Sequence, residues 1–300
     1  MSSNALPTSG RPVKTVGLHI GEIVPGVAKV DPIIVADKIT RTFGGLKAVD
    51  VEHLEIPRGA ITALIGPNGA GKTTLFNLLT GFDKPDTGTW MFEGRSLSGV
   101  PAFRVSRRGL VRTFQLTKAL GLLTVMENMK LGARRQLGEF PLLNLIPWVW
   151  RGQDNAIQER AHEILTRFKL DAKSADYAAG LSGGQRKLLE MARALMSDPT
   201  LVMLDEPMAG VNPALTQSLL DHILDLKTQG MTVLFVEHDM QMVSHIADWV
   251  VVMAEGRVVA EGPPDIVMKN PAVIDAYLGA HIDVDLGVVT GRVNEKGEQL

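Results

Sequence analysis

Short apolar runs alternate with helical patterns along most of the chain, beginning at Ile33. The run Ala60–Ile65 has the length of one buried strand and ends at a glycine-rich turn. Continuous apolar runs of this kind are typical of strands that are covered on both faces. Three later runs have the same character: Leu201–Leu204, Thr232–Val236 and Trp249–Met253. A helical pattern over Pro213–Thr228 separates the first two, and this βαβ rhythm predicts a mainly parallel sheet.

Two other regions depart from this alternation. Residues 83–99 are rich in turn-forming residues around Thr89–Phe92, which predicts an antiparallel hairpin. Residues 101–197 are mostly helical in pattern. The pattern therefore predicts an α/β fold with a mainly parallel sheet, an antiparallel β subdomain and a helical subdomain.

The two ends of the chain lack such patterns. Residues 1–32 contain four prolines and four glycines without periodicity, which predicts a flexible N-terminal extension. Residues 280–300 are weakly patterned, and we expect them to form a C-terminal tail. We therefore expect one folded domain over residues 33–279.

Composition and charge narrow the class of protein. Apolar residues make up 45% of the chain and charged residues 21%, as is usual for soluble globular proteins. The formal net charge of −2 argues against a general affinity for nucleic acid. The absence of cysteine excludes disulfides, thiolate metal sites and cysteine nucleophiles. No apolar run is long enough to span a bilayer and no secretory pattern begins the chain, so we expect a cytoplasmic location.

A glycine-rich segment after the first long apolar run matches the phosphate-binding P-loop. The residues that fit the pattern G-x-x-x-x-G-K-[ST] are Gly66, Pro67, Asn68, Gly69, Ala70, Gly71, Lys72 and Thr73. The segment leads into a predicted helix over Lys72–Thr80, and we include Thr74 among the nucleotide-binding residues. The backbone N–H groups of such a loop and the positive end of the helix bind phosphates. Lys72 should reach the β- and γ-phosphates of ATP, and the Thr73 hydroxyl should ligate Mg²⁺.

Polar residues follow two of the later strands. Asp205 and Glu206 end the run that begins at Leu201, at the position where ligands bind in open α/β sheets. Asp205 suits the water shell of Mg²⁺, and Glu206 suits polarisation of the water that attacks the γ-phosphate. The alternative is an acidic turn closed by Pro207. His238 follows the next strand and could hold the attacking water, whereas the alternative is an exposed surface histidine.

A second glycine-rich element, with the sequence LSGGQ, lies downstream of the P-loop. Ser182 can cap a helix that runs over Gly183–Met196. The loop would then present backbone donors and a helix N-terminus to an anion. The anion-binding residues predicted on this basis are Ser182, Gly183, Gly184 and Gln185. The alternative is an ordinary helix start that contains glycines.

The order of these motifs resembles that of the ATP-binding cassette (ABC) ATPases, over about residues 33–279. The motifs are a P-loop, a single glutamine, LSGGQ, an apolar strand ending in Asp-Glu, and a histidine. The resemblance implies the P-loop NTPase fold of ABC-type ATPase domains, with ATP and Mg²⁺ as cofactors. It also implies that two cassettes pair head to tail, so that LSGGQ of one contacts the γ-phosphate bound to the other.

The resemblance implies further roles for single residues. Phe43 takes the position of the aromatic ring that stacks on adenine. Gln115 matches the glutamine that contacts Mg²⁺ and relays the nucleotide state to the transport partner. Asn212 stands where the family usually has an aspartate that makes contacts across the dimer. The catalytic residues predicted in this way are Lys72, Gln115, Glu206 and His238.

Four segments resemble the ATPase subunits of branched-chain amino acid importers: Arg41–Leu46, Val111–Gln115, Ala209–Pro213 and Asn270–Gly279. The last could also be merely a docked terminal helix. This resemblance implies a second ABC ATPase subunit, identical or related, and transmembrane permease subunits. It also implies, indirectly, a periplasmic or extracellular solute-binding protein. The cassette would then lie on the cytoplasmic face of the plasma membrane.

Two alternatives to amino-acid import stay open at this point. One is the ATPase of a lipid or lipopolysaccharide export system, and the other is a non-transport ABC ATPase that acts on DNA or ribosomes. The role of the apolar stretch over residues 139–150 is open as well. It is either a surface that meets the membrane partner or a loop that packs onto the helical subdomain.

Overall fold

The computed structural model describes residues 25–113, 119–134 and 147–278. The strands within these ranges are β1 (Pro32–Phe43), β2 (Leu46–Pro57), β3 (Ile61–Ile65), β4 (Thr87–Phe92), β5 (Arg95–Ser96), β6 (Leu110–Arg112), β7 (Leu201–Asp205), β8 (Thr232–Val236), β9 (Trp249–Ala254) and β10 (Arg257–Gly262). The α-helices are α1 (Lys72–Leu79), α2 (Ala102–Arg107), α3 (Val125–Lys130), α4 (Pro147–Arg167), α5 (Gly183–Leu195), α6 (Pro213–Thr228), α7 (Met240–Ile246), α8 (Pro264–Val267) and α9 (Pro271–Leu278). None of these helices combines the length and apolar character that a membrane span requires.

The larger sheet has six strands in the order β10-β9-β3-β8-β7-β6, and it is mainly parallel, as predicted. Only its edge strand β10 is antiparallel to its neighbour. Every residue of β3, β7 and β8 is buried, which explains why these strands are continuous apolar runs in the sequence. These three strands are neighbours, so the segments that follow Ile65, Asp205 and Val236 meet at one edge of the sheet.

The smaller sheet is antiparallel, with the strand order β2-β1-β4-β5. The pairing of β4 with β5 is the hairpin predicted around Thr89–Phe92. Strand β1 continues well past the apolar run that starts at Ile33, because its polar second half is held by backbone pairing with β2. The sheet packs with α1 and one face of the larger sheet in a single apolar core, which includes Ile34, Phe76 and Leu234.

The opposite face of the larger sheet is covered by helices. Alternate residues of β7 point to the two faces, so Val202 and Leu204 join this second core while Met203 joins the first. Helices α3 to α6 contribute buried apolar residues to the second core, among them Leu188 and Ile223. Helix α9 also packs here, as Val273 and Tyr277 are buried in the same core. The C-terminal segment is therefore a docked part of the domain.

The region 101–197, predicted as mostly helical, contains one strand of the larger sheet. Strand β6 pairs in parallel with β7 and forms the edge of that sheet. It is only three residues long, and Leu110 is its one fully buried residue. Such a short strand shows no recognisable alternation of hydrophobic and polar residues in the sequence. The sequence pattern, which predicts a mostly helical region, therefore gave no sign of this strand.

The folded domain begins before residue 33, the position at which the sequence pattern predicts its start. The backbone N–H groups of Gly26 and Val27 donate to Glu261 Oε1 over 2.7 and 2.8 Å. Lys29 Nζ lies 2.5 Å from Glu261 Oε2, and both side chains are buried, at 2% and 0% exposure. A buried carboxylate requires partners, and this segment supplies them. Residues 1–24 and 279–300 lie outside the described ranges.

Candidate active site

The P-loop connects β3 to α1 and is shaped by two glycines. Gly66 has φ 147° and Gly71 has φ 96°, values that favour glycine. A Cβ atom at these positions would lie 2.1 Å from the Met253 carbonyl oxygen and 2.2 Å from the Ala48 carbonyl oxygen. Gly71 is also the N-cap of α1, and no side chain caps this helix. The loop therefore approaches its neighbours closely and leaves the helix N-terminus open to an anion.

Lys72 lies inside the curve of the P-loop. Its Nζ donates to the carbonyl oxygens of Gly66 and Pro67 over 2.7 and 2.9 Å. Burial lowers the pKa of Lys72, whereas the nearby carboxylates of Glu206 and Asp205 act to raise it. The amine and the two carboxylates are thus close enough to interact, although more than 130 residues separate them in the sequence. Thr73 and Thr74 follow in the first turn of α1, where Thr73 is exposed.

Asp205 ends β7 and is almost fully buried, at 4% exposure. Its Oδ2 accepts a hydrogen bond from Arg112 Nη2 at 2.5 Å, and the Arg112 side chain is buried as well. Arg112 Nη1 also donates to Asn77 Oδ1 of α1 at 2.6 Å, and its guanidinium lies 5.5 Å from the centre of the Phe76 ring. Arg112 thereby connects the metal-site candidate to the helix of the P-loop. Sequence reasoning missed this residue, although it lies three positions before Gln115.

Glu206 adopts a left-handed backbone conformation with φ 47°, which is uncommon for a residue other than glycine. Its N–H donates to the Val236 carbonyl at 3.0 Å. Its own carbonyl accepts from the Ala209 N–H at 3.1 Å and from Lys187 Nζ at 3.0 Å. The turn after β7 is therefore a specific structure tied to β8 and α5, rather than only the acidic surface turn considered above.

His238 lies after β8, and its side chain is 69% exposed. The residue before it, Glu237, is only 2% exposed and accepts hydrogen bonds from the Met208 N–H at 3.0 Å and the His238 N–H at 3.3 Å. Burial raises the pKa of Glu237, and the two N–H groups partly oppose this shift. Glu237 thus connects the segment after Glu206 with the segment that carries His238. Sequence reasoning assigned it no role.

The LSGGQ element forms the start of α5, as predicted. Ser182 is the N-cap, and its Oγ accepts from the Gln185 N–H at 3.2 Å while Gln185 Oε1 accepts from the Ser182 N–H at 3.0 Å. Ser182 and Gly183 are exposed. Gly184 lies against α6, where an added Cβ would come within 2.4 Å of Leu215 Cδ1. In the described part of the chain, no hydrogen bond joins Ser182–Gln185 to the P-loop of the same chain.

Phe43, Asn212 and Gln115 are the remaining residues predicted from the sequence. Phe43 ends β1 and is 48% exposed, with the Arg41 guanidinium 4.6 Å from its ring centre. Asn212 is the N-cap of α6, because its Oδ1 accepts from the Leu215 N–H at 2.9 Å. Gln115 lies outside the described residues, as does the apolar stretch over 139–146.

The residues at this edge fit a Mg²⁺ ion. Thr73 and Asp205 offer a hydroxyl and a carboxylate, and oxygen ligands are those that Mg²⁺ prefers. In the described ranges, no group of three or more His, Asp or Glu side chains is arranged to hold a metal by itself. Mg²⁺ usually binds through one or two protein ligands, water and the phosphates of a nucleotide.

Comparisons with known proteins agree with the fold. A family model for ABC transporters matches residues 49–209, and a model for branched-chain amino acid ATP-binding cassette transporters matches residues 257–283. The protein named probable branched-chain amino acid transport ATP-binding protein LivG, from Archaeoglobus fulgidus, is 41% identical over 257 residues. That alignment covers 85% of this chain and 99% of the relative.

Two further comparisons cover similar lengths. BraF of Pseudomonas aeruginosa, named a high-affinity branched-chain amino acid transport ATP-binding protein, is 40% identical over 256 residues, or 83% of this chain and 98% of the relative. A solved structure of an ATP-binding cassette of an ABC transporter, in its ADP conformation, has a TM-score of 0.71 at 36% identity. It covers 83% of this chain and 99% of the solved chain. The chain therefore belongs to the ABC transporter family, as one of its ATP-hydrolysing cassettes.

Proposed function

We propose that this cassette binds ATP together with Mg²⁺ and hydrolyses it to power the import of branched-chain or related amino acids. The nucleotide chemistry rests on one observation: Lys72 after β3 and Asp205 and Glu206 after β7 converge at the carboxyl-terminal ends of the two strands that flank β8. The cargo class rests on the match of residues 257–283 and on the names of the relatives.

The triphosphate would bind at the open N-terminus of α1. The backbone N–H groups of the P-loop and the Lys72 ammonium supply positive potential at that position. A bound triphosphate would favour the charged form of Lys72, because its negative charge adds to that of Glu206 and Asp205. The exposed ring of Phe43 is available for stacking on the adenine.

The metal would be held by the Thr73 hydroxyl and, directly or through water, by the Asp205 carboxylate, with Gln115 as a further ligand. When bound, Mg²⁺ neutralises negative charge that develops on the β- and γ-phosphate oxygens. Arg112 keeps the Asp205 carboxylate oriented at the end of β7, since it fixes one of its two oxygens.

Hydrolysis would depend on Glu206 and His238. The Glu206 carboxylate would orient the attacking water and accept a proton from it as the water oxygen bonds to the γ-phosphorus. The bond from that phosphorus to the bridging oxygen would break, and ADP would leave. The His238 imidazole is exposed and free to contact the γ-phosphate from the adjacent strand. Both residues follow neighbouring parallel strands, so they approach the same position from one side.

The second cassette would complete the site. A helix N-terminus is formed by Ser182, Gly183, Gly184 and Gln185, and within the described ranges it has no hydrogen bond to the P-loop of its own chain. Such a terminus suits the γ-phosphate of a partner. The region around α3 exposes Leu120 and Leu122, the latter at 91%, which suits contact with a transmembrane permease. A solute-binding protein on the other side of the membrane would deliver the cargo, and the cassette would lie on the cytoplasmic face.

Replacement of Glu206 tests the assigned chemistry. We expect Glu206→Gln to bind ATP with unchanged affinity and to reduce the hydrolysis rate by about 100-fold or more, because the amide cannot act as a base. Steady-state phosphate release and binding of a fluorescent ATP analogue measure the two quantities. Glu163→Gln is the matched control, since Glu163 is exposed on α4. Hydrolysis by Glu206→Gln at the wild-type rate would remove Glu206 from this role.

Transport assays test the cargo. The intact complex, isolated from the membrane through a tag on this chain, should contain permease subunits. After reconstitution into vesicles with a solute-binding protein, it should accumulate labelled leucine, isoleucine or valine in an ATP-dependent manner. Uptake should fail with Glu206→Gln. Isolation of lipid-export proteins, DNA or ribosomes with this chain would contradict the proposed import function.

A further inference from the structure

Lys187 connects two parts of the molecule that act on different nucleotides in the proposed dimer. It lies in the first turns of α5, two residues after Gln185 of the LSGGQ element. Its Nζ donates to the Glu206 carbonyl oxygen over 3.0 Å. The hydrogen bond therefore joins the helix that would serve the partner's ATP to the residue that would act on the cassette's own ATP.

The backbone of Glu206 needs such support. Its φ of 47° lies in the left-handed region, which is disfavoured for a residue with a side chain and persists only when surrounding contacts hold it. Two of the contacts come from nearby main chain, namely the Val236 carbonyl and the Ala209 N–H. Lys187 provides a third contact, and it is a charge-assisted hydrogen bond from a different element.

The surroundings of Lys187 also distinguish it from a surface lysine. It is half-buried, and burial lowers the pKa of its ammonium group. The carboxylates of Glu237, Glu190 and Glu206 lie near enough to oppose this shift. The ammonium is thus directed to the interior of the domain, between α5 and the ends of β7 and β8, rather than to solvent.

We propose that Lys187 is a positioning residue that holds the backbone of Glu206 in its left-handed conformation and so aims the Glu206 carboxylate at the attacking water. This proposal rests on the proposed ATPase function and deepens it. A shift of the start of α5, when LSGGQ engages the partner's nucleotide, moves Lys187 and is transmitted to Glu206. The two ATP sites of the dimer are coupled through this contact.

The test uses the full chain with Lys187→Met, which keeps the length of the side chain but removes the ammonium. We expect the hydrolysis rate at saturating ATP to fall about tenfold, because one charge-assisted hydrogen bond to the catalytic turn is lost. The affinity for ATP should stay within about twofold, because no hydrogen bond among the described residues joins Lys187 to the P-loop. Lys187→Arg should restore most of the rate, since a guanidinium can donate to the same carbonyl.

Two further measurements separate positioning from general stability. In Glu206→Gln, the added change Lys187→Met should cause little further loss of rate, because both changes act on one carboxylate. Hydrogen exchange of the peptide that contains Ala209 should become faster in Lys187→Met, as that N–H donates to the same Glu206 carbonyl. Lys227→Met is the matched control. Lys227 pairs with Asp248, and Asp248 accepts the N–H of Ile61, the first residue of β3. This lysine therefore lies at the opposite end of the strand from the P-loop.

The outcomes also distinguish this proposal from the proposed function. Unchanged rate and unchanged hydrogen exchange in Lys187→Met would overturn the positioning role, while the ATPase function would stand if Glu206→Gln is inactive. A uniform loss of stability with equal effects in Lys187→Met and Lys227→Met would overturn it as well. Failure of the wild-type chain to bind ATP would contradict the proposed function itself, and hydrogen exchange would still report on Lys187.

Discussion

At the residue scale, the charged side chains of the active-site edge are held by specific partners. Asp205 is fixed by Arg112, and the backbone of Glu206 is fixed by Lys187. Buried carboxylates and unusual backbone conformations both require such partners, because neither is stable in isolation. The orientation of the Asp205 carboxylate and the backbone conformation of Glu206 therefore depend on residues from other parts of the chain.

A half-buried histidine allows a prediction about pH at the same scale. His222 stacks on Phe168 with ring centres 4.2 Å apart, and its Nε2 has no hydrogen-bond partner within the described ranges. Burial lowers the pKa of His222, although Asp225 acts to raise it. The folded state thus prefers the neutral ring, while the unfolded chain takes up a proton below about pH 6.5. Stability from this residue is therefore present above that pH and is lost as the pH falls through it.

Urea unfolding at pH 7.5 and 5.5 measures this effect. The free energy of unfolding of the wild type should fall by about 0.5–1 kcal/mol more than that of His222→Phe, which keeps the ring stack without a titratable group. The exposed His162 offers a control, and His162→Gln should follow the wild type at both pH values. If wild type and His222→Phe lose the same free energy, His222 does not carry this pH dependence.

At the element scale, α5 begins with a capping box that also forms the proposed anion-binding terminus. Ser182 Oγ and Gln185 Oε1 each accept a backbone N–H from the other residue. The cap stabilises the start of the helix, and the exposed residue Gly183 lies at the same point. The same few residues therefore stabilise the start of the helix and, in the proposed function, bind nucleotide, but they do so through different properties.

Two substitutions at Ser182 separate these properties. Ser182→Ala should lower the free energy of unfolding by about 1 kcal/mol, since the N-cap acceptor is lost. Ser182→Asp should keep the cap and stay within a few tenths of a kcal/mol of the wild type. Its negative charge should nevertheless suppress ATP hydrolysis, because it repels the triphosphate of the partner cassette. Full activity of a stable Ser182→Asp protein would contradict the proposed contact with phosphate.

At the scale of the whole molecule, the segment before β1 contacts β9 and β10. Glu261 accepts four hydrogen bonds, from Gly26, Val27, Lys29 and the Trp249 indole. The Lys29 ammonium also lies 5.0 Å from the centre of the Trp249 ring. The segment joins the antiparallel sheet to the far edge of the parallel sheet, so the integrity of the domain depends on residues before position 33.

Replacing Glu261 tests how much these contacts contribute to stability. Glu261→Gln should lower the free energy of unfolding by about 3 kcal/mol, because an amide NH₂ would face a donor and Lys29 would lose its buried counter-charge. Removal of residues 1–32 should destabilise the protein by a similar amount. Urea unfolding measures both changes. Glu52→Gln is the matched control and should change stability by less than about 0.5 kcal/mol, as the Lys38–Glu52 pair is exposed.

The local features of the fold were readable from the chain. The strands around Ile65, Asp205 and Val236 are buried on both faces, so their apolar runs predicted them within one or two residues. The hairpin β4–β5, helix α6 and the Ser182 cap were likewise predicted, because each depends on residues close in sequence. Strand β6 was missed, since a three-residue edge strand has no period of its own.

The amino-acid sequence by itself determined which chemical groups the protein carries and the order in which they follow the strands. The P-loop, the Asp205-Glu206 pair and LSGGQ are local patterns, and their residue types are sufficient to indicate nucleotide chemistry. Only the tertiary structure decided how those groups are held. The contacts Arg112–Asp205, Lys187–Glu206 and Lys29–Glu261 join distant parts of the chain, and such pairs arise from packing of the elements rather than from any local pattern.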